Sequence, residues 1–265
     1  SEANGVALNP GQSTLVRQMA TSGARLQLAI APAGSGKTTA MRALAQAWAE
    51  GGGTVLGLAP SAAAADALRT QMEQDTDTLA KLVHTLTDPH GQATPPAWFG
   101  QIGPQTLVVI DEAGMADTLS LDLVVAHVLA RGGSVRLVGD DQQLAAIGAG
   151  GVLRDIAATH GVLHLSELVR FADPAEGAAS LALREGRTEA LGFYLDRDRV
   201  HVGDQTTMTA DAFASWQADR ANGLDSIMLA PTRELVSELN QRARAHRLTG
   251  TDPAAVGPVR RLADG

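Results

Sequence analysis

The chain has 265 residues, 45% of them hydrophobic, a net charge of -8 and no cysteine. Its length and apolar content suit one large or two modest globular domains, and the lack of cysteine excludes a disulfide framework and a thiolate metal site. The acidic balance offers no bulk attraction to nucleic acid, so any such contact must be local; with no charged-then-apolar leader and no long apolar stretch, a cytoplasmic protein without a membrane span is expected.

The first strong element is LQLAIAPAGSGKTTAMRALAQAWAE, which predicts a buried strand over residues 26–30, a glycine-rich turn over 33–38 and a helix over 39–50. In that order, successive backbone N–H groups of Ala33, Gly34, Ser35, Gly36, Lys37, Thr38 and Thr39 can cradle phosphates at the positive end of a helix. Lys37, one of only two lysines against nineteen arginines, would reach the β- and γ-phosphates, and the Thr38 hydroxyl would ligate Mg²⁺. ATP and Mg²⁺ are the expected ligands. The strict G-x-x-x-x-G-K-[ST] pattern puts its first glycine at Ala31, where this chain departs from it.

Further apolar runs ending in turn signals follow at residues 54–60, 106–112, 134–140, 162–165 and 225–231, with amphipathic helical patterns between them. Such strands predict an α/β fold, a parallel sheet with helices on both faces. Residues 88–104, rich in proline and glycine, read as a loop. The run TLVVI delivers Asp111 and Glu112 to the C-terminal edge of the sheet, where ligands bind in open parallel sheets. Two adjacent acids after a strand also occur as a solvated turn; behind a phosphate loop, Asp111 would hold Mg²⁺ and Glu112 would deprotonate the attacking water. The next strand brings Asp140 and Gln143 to the same edge, and the Gln143 amide could sense the γ-phosphate.

Gly139, Asp140, Gln143 and Leu144 match the third motif of the RecD-like superfamily 1 helicases: glycine, aspartate, two variable residues, glutamine, leucine. The chain resembles that family over about residues 6–250, and its alanine-rich motifs are most similar to the helicase portion of conjugative relaxase-helicases of the TraI and TrwC type. The resemblance implies a P-loop NTPase, RecA-like sheet over residues 1–172, a bridging segment over 173–224 and an incomplete start of a second RecA-like lobe over 225–265. It also implies that Gln12 reads the adenine edge, that Arg170 contacts the γ-phosphate, and that Ser61, Thr78 and His84 touch DNA. Ser61 is equally an ordinary helix cap, and an isolated histidine such as His84 is usually structural. Single-stranded DNA is the implied partner, with conjugation or secretion machinery beside it, and the implied polarity is 5′ to 3′. The far-lobe motifs of such motors are not found after Asp225, so weak ATPase and no duplex unwinding are expected of residues 1–265. Two other readings stay open: a P-loop kinase or toxin acting on a small molecule, and a non-catalytic, ATP-gated single-strand-binding module.

Overall fold

A computed structural model describes residues 2–3, 6–88, 94–142, 152–165 and 167–249. The chain divides into two compact units, Ser1–Thr188 and Glu189–Gly265. The first opens with a short antiparallel pair, β1 (Glu2–Ala3) and β2 (Val6–Ala7). Its core is a six-stranded parallel sheet of β3 (Leu26–Ile30), β4 (Thr54–Ala59), β5 (Asp75–Thr78), β6 (Thr106–Ile110), β7 (Ser134–Gly139) and β8 (Leu163–His164), in the order β5-β4-β6-β7-β3-β8. All C-terminal strand ends therefore share one edge, and the loops after β3, β6 and β7 emerge side by side.

The helices begin where the residues can cap them. Asn9 and Gln12 form a reciprocal capping box ahead of α1 (Pro10–Thr21), with proline at the first position. Ser61 caps α3 (Ala62–Met72), Thr78 caps α4 (Leu79–Thr87), Asp117 caps α5 (Thr118–Ala130) and Asp173 caps α7 (Pro174–Arg184). The phosphate-loop helix α2 (Lys37–Glu50) starts two residues before the predicted position, behind the left-handed Gly36. The strands are buried on both faces. In β6, Leu107 and Val109 pack on the side of α1, α2 and α3, while Val108 and Ile110 pack on the side of α4, α5 and α6 (Val152–His160).

The short pair β1 and β2 and one strand of the six-stranded sheet, β5, have no counterpart among the predicted strands. The residues of β5 are Asp-Thr-Asp-Thr and it lies at the edge of the sheet, so it needs no apolar run; its buried Thr76 donates its hydroxyl to the Ala65 carbonyl at 2.9 Å.

A cation sits at the centre of the sheet. Arg136 in β7 is 0% exposed, on the face toward α1 and α2. Its guanidinium donates to the carbonyls of Met19, Ala24, Arg25 and Val135, capping the end of α1, and lies 5.9 Å from the Trp48 ring. Among the described residues no carboxylate pairs with it, and burial pushes its pKa down to about 10, still charged at neutral pH. Arg136→Met keeps apolar bulk but orphans buried carbonyls, at ~1–3 kcal/mol for each group left without a donor. We expect a loss of about 2–4 kcal/mol in urea unfolding; wild-type stability in that variant would show that the carbonyls find other donors.

The second unit holds α8 (Ala190–Leu195), α9 (Gln205–Ala221) and α10 (Arg233–Leu248). Phe213 stacks on Trp216, and Gln217 bonds His246 at 2.9 Å, joining α9 to α10. The strand predicted over residues 225–231 is not there. A strand exists only through a ladder to a neighbour, and among the described residues no strand pairs with this segment, whose Ile227 and Leu229 are 82% and 85% exposed. No described helix is long and apolar enough to cross a membrane.

Candidate active site

The phosphate loop leaves β3 with a backbone that demands its glycines. Gly34 and Gly36 have φ of 85° and 77°, left-handed values that glycine adopts without penalty. Space is equally restrictive: a Cβ on Gly34 would lie 2.8 Å from the Arg170 Cβ, and one on Gly36 only 2.2 Å from the Gln12 Nε2. Ala31 is buried, donates its N–H to the Gly139 carbonyl at 2.8 Å and has no left-handed backbone. Alanine therefore serves where the motif has glycine. Gly36→Ala should push the Gln12 amide aside and distort the loop. We expect calorimetry to show at least about tenfold weaker Mg²⁺·ADP binding, against no change for Gly23→Ala, whose Cβ would meet open space.

Lys37 opens α2, and its Nζ lies 2.8 Å from Asp111 Oδ1 and 2.5 Å from Glu112 Oε1. Burial works against its charge and is the largest single influence, but the two carboxylates together outweigh it and raise the pKa above the ordinary lysine value. Among the described residues the Lys37 ammonium is the one cation that Asp111 Oδ1 meets. Glu112 has φ 50° and ψ 38°, a left-handed conformation that costs a non-glycine residue on the order of 1 kcal/mol and is typical of functional turns.

These residues fit a Mg²⁺-bound nucleotide. Ser35 is fully buried in the loop with its hydroxyl unpartnered, and, among the described residues, Asp111 Oδ1 meets only the Lys37 ammonium. Thr38 follows Lys37 on the first turn of α2. Among the described residues no cluster of three or more His, Asp or Glu could hold a metal alone.

Two predicted residues from distant segments also arrive. Gln12, 5% exposed, accepts from Asn9 N at 3.0 Å and donates from Nε2 to the Gly36 carbonyl at 3.1 Å, so both ends of its amide are engaged in bracing the loop. Past β8, the N–H groups of Val169 and Arg170 donate to the Gly34 carbonyl, at 2.8 and 3.1 Å, which lays the Arg170 side chain across Gly34. Ser61 and Thr78 cap α3 and α4 beyond β4 and β5, on the same sheet edge, and His84 is exposed on α4. Gln143 lies outside the described residues. The sequence reading missed Arg184, which pairs from α7 with Asp140 and Asp141; as the last residue of an amphipathic helix it carried no signal.

A family model described as an AAA domain matches residues 7–205. The probable conjugal transfer protein TraA of Sinorhizobium fredii is 30% identical over 240 residues, covering 90% of this chain and 21% of the relative. The conjugal transfer protein TraA of Agrobacterium fabrum is 31% identical over 245 residues, covering 91% and 21%. The chain thus spans about a fifth of the length of these relatives. A crystal structure of Pif1 helicase from Candida albicans superposes with a TM-score of 0.59 at 15% identity, over 93% of this chain and 55% of that one, which shows a shared fold. With its motif residues gathered at one sheet edge and such relatives along nearly all of its length, the chain belongs to the AAA domain family and is similar to conjugal transfer proteins.

Proposed function

We propose that this chain is an ATP-hydrolysing motor domain that drives movement on single-stranded DNA within a longer conjugative transfer protein. The observation that carries this reading is convergence: Lys37, Asp111, Glu112 and the Gly34–Arg170 contact come from three segments and meet at one end of the sheet. The P-loop amides and Lys37 would hold the phosphates. Glu112 would take a proton from water as its oxygen attacks the γ-phosphorus in line, the bond to the β–γ bridging oxygen breaks, and ADP leaves. Arg170 would stabilise charge on the transferring group. Mg²⁺, held by Thr38 and Asp111, would neutralise phosphate charge. Ser61 and Thr78, on the same edge, are where bound DNA would feel the nucleotide, and the names of the TraA relatives support a role in conjugation.

Calorimetry with ADP and Mg²⁺, followed by a phosphate-release assay with ATP, tests the proposal. We expect saturable binding and slow release of free phosphate into water. No binding would end the nucleotide reading; ADP formation without free phosphate, in the presence of a small-molecule acceptor, would make the protein a kinase.

A further inference from the structure

The turn after β7 is clamped from two helices. Arg184, the last residue of α7, donates from one guanidinium nitrogen to Asp140 Oδ1, contacts Asp140 Oδ2 through Nε at 3.4 Å, and reaches Asp141 Oδ1 at 2.9 Å. Asp140 Oδ1 also accepts from Gln142 N at 3.0 Å, and Arg154 of α6 donates to the Asp141 carbonyl at 3.1 Å. The Asp140 side chain is 6% exposed. A buried carboxylate in a two-point guanidinium grip has little freedom.

Behind that turn lies the Glu112 loop, in direct backbone contact. A Cβ on Gly114 would come within 3.1 Å of the Asp140 carbonyl oxygen, and one on Gly139 within 3.2 Å of Gly114 N and 3.3 Å of Ala113 N. The Gly139 carbonyl also takes the Ala31 N–H, at the entrance to the phosphate loop. Glu112 therefore keeps its left-handed backbone against a surface whose position Arg184 sets.

We propose that Arg184 is a positioning residue for hydrolysis: by fixing Asp140 against the Ala113–Gly114 backbone it holds the Glu112 carboxylate in line with the attacking water. This rests on Glu112 as the base. It separates Arg184 from residues that grip the nucleotide, because the clamp touches neither Lys37 nor the loop glycines, and from residues that merely brace the fold, because its effect should be confined to one loop.

Two measurements on Arg184→Ala and Arg184→Lys test it. In ligand-free protein, deuterium uptake over residues 113–116 should rise in Arg184→Ala, return toward wild type in Arg184→Lys, and stay unchanged over α1. In the phosphate-release assay, kcat should fall about 10- to 100-fold, the scale of a displaced catalytic group, while ADP affinity stays within about threefold. If Arg184→Ala does not fold, Arg184→Gln, which keeps a polar side chain but falls two bonds short of the guanidinium nitrogens, replaces it. Unchanged uptake over 113–116 in a folded variant would overturn the proposal, as would equal losses of kcat and ADP affinity. Absence of hydrolysis by wild type would instead count against the ATPase reading and leave the exchange measurement to decide the clamp.

Discussion

Lys37→Ala is expected to weaken Mg²⁺·ADP binding by at least about 100-fold in calorimetry. A charge-assisted contact to phosphate contributes about 1.5–3 kcal/mol, or roughly one to two orders of magnitude in affinity. Here the loss is compounded. Lys37 is the cation between Asp111 and Glu112, whose side chains are 16% and 29% exposed, so its removal leaves two carboxylates facing the incoming phosphates. A Lys37→Ala protein that binds ADP like wild type would remove the nucleotide from this loop. The same geometry fixes a pH dependence. Because the folded-state pKa of Lys37 is raised, the stability it lends is fully present below the unfolded-state value of 10.5 and is lost as pH rises through the folded value. The stability gap between wild type and Lys37→Met should therefore be flat from about pH 7 to about pH 10 and close only above that. A gap that narrows at neutral pH would mean the carboxylates do not hold the ammonium.

Glu112→Gln should act on the other half of the cycle. Removing a general base lowers turnover by about 10²- to 10⁴-fold, whereas the phosphate grip loses nothing. The neutral amide also no longer competes for Lys37, which Glu112 holds at 2.5 Å, so ADP affinity should stay level or tighten slightly. Phosphate release read beside calorimetry checks both parts: unchanged kcat would show that Glu112 is not the base, and weakened ADP binding would place it in the grip instead.

What could be read from the residue order follows burial. Strands β3, β4, β6 and β7 were legible because sheets covered on both faces demand continuous apolar runs, and the phosphate loop was legible because glycine, lysine and threonine have few substitutes there. The edge strand β5 was hidden by its aspartates. Residues 225–231 misled for the converse reason: their apolar composition suits a strand, but pairing is a property of a neighbour and not of the segment. At the site, Lys37, Asp111 and Glu112 could be named from motif spacing, and Arg170 from the family resemblance. The bond from Gln12 that braces Gly36 and the reach of Arg184 across 44 residues to Asp140 are tertiary contacts with no local trace.

Helix α1 is secured near both ends, by Gln12 to the Gly36 carbonyl and by Arg136 to the Met19 carbonyl. Seven residues of helix separate the two fixings, about 10 Å along the axis. It is a strut as well as a cover for the sheet: the phosphate loop at one end and the buried guanidinium of β7 at the other are held at a fixed separation by a single helix.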